Sequence, residues 1–271
     1  MPRQTYNVTS CASSSPPCLF LGTAALCGII GEVKEETATL RLRTRLAARF
    51  ELAETAITLP RSGRRFRIYQ PASFDPLLDA AVDDPEQNLP YWAISWPSGV
   101  ALADVALMNP RRFAGKRVLE LGCGLGVTAA AILDAGADLI ATDYGAEALL
   151  LCRLNALQNV GRQPFTLRIN WREPGPPLFE LASPTFPEIF AADVLYESRD
   201  IQPLLSLAER LLAPDGTLWL AEPRRTVAGR FVAAAIAGGW QDEVDTHTGP
   251  WPNPGDEDIV VDVHRLRRSP A

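Results

Sequence analysis

The pattern of hydrophobic and polar positions changes after Gly115. From there on, short apolar runs alternate with longer segments whose apolar residues recur at helical spacing. Strands are predicted at residues 117–121, 138–143, 165–170, 188–194, 217–222 and 258–266, and helices at residues 127–136, 146–161, 201–216 and 226–239. Short buried strands that alternate with helices indicate an α/β fold with a doubly wound, mostly parallel sheet. No helix-length segment separates residues 240 and 258, so we expect a terminal hairpin with one antiparallel strand.

The region before Gly115 has a different rhythm. It predicts an amphipathic helix, a strand–turn–strand unit around Arg61, Ser62 and Gly63, a short helix and a longer helix that ends at Pro110. The predicted bounds are 39–52 for the first helix, 55–60 and 64–71 for the strands, 74–82 for the short helix and the second half of 90–110 for the last. We therefore divide the chain into a leader (1–38), an N-terminal helix/hairpin segment (39–112) and a core domain (113–268).

The leader has an unusual composition, because residues 4–31 carry no charge. Its apolar run, residues 18–30, is too short to span a bilayer as a helix. A signal peptide is disfavoured because Leu26 stands where small residues are wanted for cleavage. We interpret the leader as a disordered extension of a cytoplasmic protein. A second hypothesis is that translation starts at a non-AUG codon, for example at Val33, and that the preceding residues belong to a wrongly assigned extension.

Composition and charge exclude several classes of protein. The 271 residues are 47% hydrophobic and 21% charged with a net charge of −6, which is ordinary for a globular chain. The chain has no dense stripe of basic residues, so we do not expect nucleic acid as a partner. We interpret the basic stretch 61–69 as a solvated hairpin tip. The five cysteines are too scattered for a disulfide scaffold or a metal site, and Cys123 and Cys152 are expected to be small apolar fillers. We expect structural or surface roles for His247 and His264, and a monomer.

A glycine-rich turn follows the first core strand, with Gly122, Gly124 and Gly126 at alternate positions. In a doubly wound sheet this turn is where a ligand binds. The dinucleotide fingerprint G-x-G-x-x-G requires a glycine at position 127, which is Val127 here. A purely structural glycine turn is the remaining alternative.

Two carboxylates indicate which ligand this turn accepts. Glu120 precedes the glycines and would repel a pyrophosphate, whereas it would attract a ligand that carries positive charge. S-adenosyl-L-methionine has a sulfonium and an ammonium group and no phosphate. Asp143 ends the second core strand, where a carboxylate can accept both ribose hydroxyl protons. Glu120, the glycine spacing and Asp143 together favour S-adenosyl-L-methionine over NAD.

Four segments of the chain carry a resemblance to a known family. They are "PYWAISWPSGVALADVALMNP" (90–110), "VLELGCGLGVTAAAILDAGADLIATDY" (118–144), "LNALQN" (154–159) and "FAADVLYES" (190–198). Over residues 45–267 the chain resembles the class I, seven-β-strand methyltransferases. More narrowly, it resembles the family that methylates lysines of non-histone proteins, such as the electron transfer flavoprotein β subunit. The resemblance implies a Rossmann-like seven-stranded sheet with a C-terminal antiparallel strand, S-adenosyl-L-methionine as cofactor and a protein as methyl acceptor.

The resemblance also implies roles for individual residues. Trp96 and Gly99 are expected on the methionine side of the cofactor, and Ala192 and Asp193 beneath the sulfonium. Asn170 and Trp171 match the family's Asp-Trp pair beside the adenine. The asparagine departs from the family's aspartate, which puts the contact with the adenine amine in doubt. Core packing is the alternative for both tryptophans.

The same resemblance suggests the catalytic residues, Asp193 and Tyr196, with Glu197 as an additional carboxylate. We expect Asp193 to bind and orient the acceptor amine and Tyr196 to bound its pocket, although Tyr196 could instead only cap the core. The motif Asn/Asp-Pro-Pro-Tyr/Phe is absent after the fourth strand, which disfavours methylation of nucleic-acid bases. Two alternatives stay open: a small-molecule N-methyltransferase acting on a nicotinamide-like or amine metabolite, and a non-catalytic module that binds S-adenosyl-L-methionine.

Overall fold

The computed structural model describes residues 36–82, 84 and 89–268. Residues 36–38, at the end of the predicted leader, are already helical, whereas the rest of that leader and the hypothesis of a start at Val33 lie outside the described residues. The N-terminal segment consists of α1 (36–47), β1 (Leu52–Thr58), β2 (Arg65–Pro71), α2 (Asp75–Ala80), a 3-10 helix (Tyr91–Ala93), α3 (Pro97–Met108) and α4 (Pro110–Phe113).

The first helix ends at residue 47, earlier than the predicted 52, because the chain turns at residues 48–50 and β1 begins at Leu52. There the chain pairs in an antiparallel hairpin with β2, with Leu52 opposite Pro71. The β-branched residues of β1 favour this extended pairing over a longer helix. The hairpin tip is also more than a solvated turn. Arg61 donates to Asp245, and the Asp104 carboxylate accepts the backbone N–H groups of Arg61 and Ser62.

The core sheet has seven strands in the order β5-β4-β3-β6-β7-β9-β8. Strands β3 to β7 pair with one another in parallel, and β9 runs antiparallel to both β7 and β8. The doubly wound, mostly parallel architecture with a C-terminal antiparallel strand is therefore confirmed. The strands are β3 (Arg117–Leu121), β4 (Asp138–Asp143), β5 (Phe165–Arg168), β6 (Phe186–Ala192), β7 (Leu212–Glu222), β8 (Trp240–His247) and β9 (Val261–Arg268).

Five helices complete this domain: α5 (Val127–Asp134), α6 (Ala146–Val160), α7 (Pro176–Leu181), α8 (Ile201–Leu211) and α9 (Thr226–Ala237). The predicted segment 201–216, a helix closing in a Pro-Asp-Gly turn at 214–216, is correct only in its first part, because α8 ends at Leu211 and β7 begins at Leu212. Pro214 explains the early end, since proline disfavours helical geometry in the residue before it and has no N–H to donate. Helix α7 was not predicted.

Two hydrophobic cores lie on opposite faces of the sheet. One contains the buried faces of α3, α5 and α6 together with the β1–β2 hairpin, and the other contains those of α7, α8 and α9. This arrangement leaves the carboxyl ends of β3, β4 and β6 at one edge, where parallel α/β sheets bind their ligands. Within the described part of the chain, no helix has both the length and the apolar character needed to cross a membrane.

Candidate active site

One cavity of about 730 Å³ opens at the carboxyl ends of β3, β4 and β6. A cavity of this size suits a ligand of several hundred daltons. It brings together all the cofactor-binding and catalytic residues that the sequence predicted, although they are spread over a hundred positions. These are Trp96, Gly99, Glu120, Gly122, Gly124, Gly126, Asp143, Asn170, Trp171, Ala192, Asp193 and Tyr196.

The glycine-rich turn forms the floor of the cavity, and all three of its glycines have positive φ. At Gly126 a Cβ would lie 2.6 Å from the Cα of Cys152, so this glycine lets α5 and α6 pack closely. At Gly122 a Cβ would lie 2.9 Å from a methyl group of Val194. Gly124 is less crowded, with the nearest atom 3.5 Å away on the backbone of Trp92. Close packing against neighbouring residues thus requires glycine at positions 122 and 126, whereas Gly124 leaves open space above the turn.

Glu120 is a buried carboxylate that faces this cavity. Its side chain is 2% exposed, and Oε2 has no hydrogen-bond partner among the described residues. Burial, with a smaller effect of Asp143, raises the pKa of Glu120 well above its ordinary value. A buried carboxylate oxygen without a partner is costly unless a ligand satisfies it. The arrangement fits a ligand with a positive charge or a hydrogen-bond donor at this point, as S-adenosyl-L-methionine has, and opposes a pyrophosphate.

Asp143 is held by the backbone of the turn beside it. Its two carboxylate oxygens accept the N–H groups of Gly124 and Gly145 at 2.9 and 2.8 Å. Burial raises the pKa of Asp143 to about 6, although these backbone donors act in the opposite direction. Each carboxylate oxygen has a second lone pair, so the group remains able to accept hydroxyl protons from a ribose.

The N-terminal segment supplies a larger wall than Trp96 and Gly99, the two residues of it that the sequence predicted at the site. The ring of Trp92 lies against Gly145, where a Cβ would be 3.1 Å from Cδ1 of the indole. Trp92 also packs against Phe50, with ring centroids 6.2 Å apart. At the rim, Arg49 forms an ion pair with Glu147. Trp92 lies in the same tryptophan-containing stretch as Trp96, and that stretch was the signal that could have identified it.

The end of the cavity beyond β6 is aromatic and acidic. Tyr91 contacts Trp96 and Tyr196 edge to face, with ring centroids 6.0 and 5.3 Å apart. Asp193 follows β6 directly and adopts a positive φ of 51°. Burial raises the pKa of Tyr196 above its ordinary value, so its hydroxyl stays protonated and can donate a hydrogen bond.

Asp193 is not free in this structure. Arg225 donates Nε and Nη2 to its two carboxylate oxygens at 2.7 and 3.1 Å, and only 7% of the Asp193 side chain is exposed. Arg225 lies in the turn between β7 and α9. Sequence reasoning missed this partner, because nothing in the spacing of two residues 32 positions apart indicates that they meet.

The Asn170–Trp171 pair reaches the cavity from β5. Trp171 lies over the glycine-rich turn, with its ring 3.6 Å from where a Cβ on Gly122 would stand. Its indole N–H donates to Asp200, which is fully buried and also accepts Nε of Arg172 at 2.7 Å. The side chain of Asn170 accepts the backbone N–H of Arg172. Asp200 therefore fixes the orientation of Trp171, and the sequence offered no signal for it.

Glu197, the additional carboxylate suggested by the sequence, has a different position. It accepts Nε of Arg199 at 2.5 Å and does not belong to the residues that line the cavity in the described part of the chain. Its side chain leaves the active-site turn because the neighbouring arginine offers a charged partner two residues away. The structure thus leaves Asp193 as the carboxylate at this end of the cavity.

Cys123, Cys152 and His247 are buried, and His264 is partly buried. Cys123 and Cys152 are free cysteines, and a hydrogen bond joins their side chains. His264 contacts Asp242 and Glu222, and His247 contacts Asp245. None of the histidine contacts is part of the cavity lining in the described chain, in keeping with the structural roles expected for them.

One family model and several known proteins are similar to parts of this chain. Residues 119–218 match the family model described as "Methyltransferase domain". The electron transfer flavoprotein beta subunit lysine methyltransferase of Xenopus laevis is 39% identical over 39% of this chain and 44% of that protein. Histone-arginine methyltransferase METTL23 of Xenopus laevis is 29% identical over 49% of this chain and 57% of that protein. A Pyrococcus horikoshii structure, named as an RNA methyltransferase, superposes with a TM-score of 0.51 at 18% identity and covers 72% of this chain and 95% of that one.

These findings confirm the resemblance to class I methyltransferases and to the electron transfer flavoprotein-directed enzymes. The aligned part spans less than half of the length of that curated relative. The structural match shows the fold alone. The domain match and the fit of the acidic residues to a cationic ligand identify S-adenosyl-L-methionine as the cofactor.

Proposed function

We propose that this protein is an S-adenosyl-L-methionine-dependent methyltransferase that transfers the methyl group to a lysine side-chain amine of another protein. One observation carries the proposal: a single cavity joins the cofactor turn at Gly122 to the carboxylate of Asp193 and the hydroxyl of Tyr196. The vertebrate relatives named as lysine methyltransferases support the choice of a protein lysine as acceptor. The cytoplasm is the proposed location, and the monomer the proposed active form.

The chemistry needs alignment more than it needs functional groups. The bound cofactor supplies a methyl group activated by its sulfonium. The cofactor turn and Glu120 fix where that group lies, and the wall formed by Tyr91 and Trp96 excludes water from it. An acceptor lysine has a reference pKa of about 10.4 and must lose its proton before its nitrogen can attack. Asp193 orients the amine, and the Tyr196 hydroxyl bounds its position.

A second candidate is an N-methyltransferase that acts on a small amine. The aromatic walls of Tyr91, Trp96 and Tyr196 favour it, because aromatic faces bind compact cationic and planar ligands. The relative named as a histone-arginine methyltransferase adds arginine as an alternative acceptor residue. Nucleic acid is not proposed as acceptor, since the chain is acidic overall.

The deciding experiment incubates the purified protein with methyl-labelled S-adenosyl-L-methionine and a cell lysate. We expect label in protein and, after digestion and mass spectrometry, on lysine. Label only in small metabolites would support the second candidate, and label on arginine would correct the acceptor. If no label is transferred although the cofactor binds in calorimetry, the chain is a binding module and the proposal is wrong.

Variants test the two proposed catalytic residues in the same assay. Asp193→Asn and Tyr196→Phe should each lower turnover by at least tenfold, because both residues act on the acceptor. Cofactor binding should stay within a factor of two for Tyr196→Phe, whereas Asp193→Asn also removes a charge expected beneath the sulfonium. Glu197→Gln is the comparison, since its side chain pairs with Arg199 outside the cavity. Full turnover in both active-site variants would contradict their roles.

A further inference from the structure

The turn between β7 and α9 carries two consecutive arginines, and each forms a bidentate ion pair with an aspartate. Arg224 donates to Asp262 at 2.8 and 3.1 Å, on the outside of the sheet. Arg225 donates to Asp193 at 2.7 and 3.1 Å, at the acceptor end of the cavity. The geometry of the two pairs is nearly the same, and only their positions differ.

The turn is built to deliver Arg225 to this place. Arg224 has a positive φ of 59°, which directs the two side chains to different sides. The Glu222 carboxylate accepts the backbone N–H of Arg225 at 2.7 Å, and His264 lies 3.6 Å from the other oxygen of Glu222. The ion pair with Asp193 raises the pKa of Arg225, so the guanidinium keeps its charge. Strain and hydrogen bonds thus hold a permanent cation against the only carboxylate that directly follows β6 at the cavity.

This pairing has a chemical consequence for an amine acceptor. An unpaired carboxylate in a nearly buried position would stabilise the ammonium form of a lysine and oppose the loss of its proton. A carboxylate whose charge is already balanced can still accept a hydrogen bond from a neutral amine, but it holds an ammonium much less strongly. The charged and titratable groups around this end of the cavity are Tyr91, Glu120, Asp143, Arg172, Tyr196, Glu197, Asp200, Glu222 and Arg225. Of these groups, only Arg225 forms a side-chain hydrogen bond with Asp193 among the residues that the structure describes.

We propose that Arg225 is a positioning residue that tunes the acceptor: by balancing the charge of Asp193, it allows the acceptor ammonium to lose its proton inside the site. This inference rests on the proposed function. The ammonium gives its proton to water, and the lone pair of the neutral nitrogen then forms the N–C bond to the methyl group. The C–S bond breaks at the same time, and its electron pair remains on sulfur. Arg225 takes no part in bond making and acts only through Asp193.

The test compares Arg225→Met with the matched control Arg224→Met and with the charge-conserving Arg225→Lys. Methionine keeps the length of the apolar stem without the charge. The acceptor is purified electron transfer flavoprotein, and kcat and KM are measured from pH 6.5 to 10. For Arg225→Met we expect a kcat at least tenfold lower at pH 7.5, an unchanged or lower KM, and a pH–rate profile displaced upward by about one unit as the unpaired carboxylate holds the ammonium. Arg225→Lys should restore the wild-type profile, and Arg224→Met should match wild type.

A second readout does not depend on turnover. The dissociation constant of S-adenosyl-L-methionine should agree within a factor of two for all variants, because Arg225 does not belong to the cavity lining of the described chain. If Arg225→Met loses its fold, as circular dichroism and cofactor binding would show, the uncharged Arg225→Gln replaces it and is expected to show the same displaced pH profile.

The outcomes separate this inference from the proposed function. If the wild-type protein methylates no amine, the proposed function is wrong and the inference falls with it. If the wild type methylates its acceptor and Arg225→Met has the same pH–rate profile as Arg224→Met, the proposed function stands and the role of Arg225 is refuted. A lower kcat without a displaced profile would also overturn it, since a purely structural role gives that result.

Discussion

At the scale of single residues, Glu120 shows a conflict between stability and binding. Its carboxylate is buried, and one oxygen has no partner among the described residues. Such a group destabilises the ligand-free protein, because burial leaves it either as a charge without compensation or as a carboxyl that has had to take up a proton. It is useful only when a cationic ligand arrives. A buried carboxylate without a partner is therefore stronger evidence for a binding site than an exposed carboxylate is.

The substitution Glu120→Gln separates these two effects, because glutamine has nearly the same shape and no charge. We expect the free energy of unfolding of the ligand-free protein to stay the same or increase. The dissociation constant of S-adenosyl-L-methionine should rise at least tenfold, since the attraction to its positive charges is lost. Chemical denaturation and isothermal titration calorimetry measure the two quantities. An unchanged dissociation constant would show that Glu120 does not face the cofactor.

Asp143 makes cofactor binding depend on pH. Its pKa of about 6 is raised above the ordinary value, so the ligand-free fold favours the protonated form, and this contribution to stability is lost as pH rises through about 6. Ribose hydroxyls donate to the ionised form. We therefore predict that the dissociation constant of the cofactor increases by about tenfold per pH unit below 6. Calorimetry between pH 5 and 8 measures it, and Asp143→Asn should bind weakly with a flatter profile. A wild-type affinity independent of pH would contradict the prediction.

At the scale of elements, a charged network joins the last three strands of the sheet. His264 on β9 contacts Asp242 on β8 and Glu222 on β7 at 2.8 and 3.6 Å. Burial alone would lower the pKa of His264, but the two carboxylates raise it to about 9. The order of these strands, with β9 between the other two, is what brings the three side chains together.

The network predicts a loss of stability at alkaline pH. The histidine pKa is raised in the folded state, so its contribution is fully present below pH 6.5 and is lost as pH rises through about 9. The expected decrease in the free energy of unfolding is at most about 3 kcal/mol, on the basis of the size of the pKa shift. Urea unfolding at pH 6.5, 8 and 9.5 measures it. His264→Gln should reduce this dependence, and an equally steep decrease in that variant would assign the effect to other groups.

At the scale of the whole molecule, two asparagines of α6 connect the N-terminal hairpin with the core. Asn155 bonds to the backbone N–H and carbonyl of Tyr69, and Asn159 bonds in the same way to Arg67. The amide side chains thus act as a partner for the free edge of β2. Asn155 also donates to the carbonyl of Leu125 in the glycine-rich turn at 2.8 Å. The hairpin and the cofactor turn therefore share one buried side chain.

This difference between the two asparagines can be measured. Asn155→Ala should lower the free energy of unfolding by roughly 1–3 kcal/mol for each buried backbone group left unpaired. Asn159→Ala should lower it less, because its hydrogen bonds to Arg67 are exposed and water can replace them. Only Asn155→Ala should also weaken cofactor binding, by about tenfold, since only Asn155 holds the turn. Denaturation and calorimetry on the two variants provide the comparison. Equal cofactor affinities would show that the hairpin and the turn are independent.

The architecture and much of the candidate site followed from the sequence. The alternation of apolar strands and helices predicts a parallel sheet, and a parallel sheet brings the residues after β3, β4 and β6 to one edge. The boundaries of the helices and strands were less predictable, as the early end of α8 at Leu211 shows. Pro214 disfavours a longer helix, but the pairing of Leu212 with Phe186 across the sheet makes the residues after Leu211 a strand, and such pairing is not visible in a local pattern.

The sequence by itself determined which residues meet in the cavity proposed for the cofactor, because Glu120, the spaced glycines and Asp143 are local to strand ends whose positions the hydrophobic period fixes. Only the tertiary structure decided which side chains from distant parts of the sequence contact the candidate site and the elements that surround it. Arg225 meets Asp193, Asp200 meets Trp171, and Asn155 meets Tyr69 across long stretches of chain. These contacts depend on the order of strands and the packing of helices, which bring together side chains whose relation no periodicity encodes.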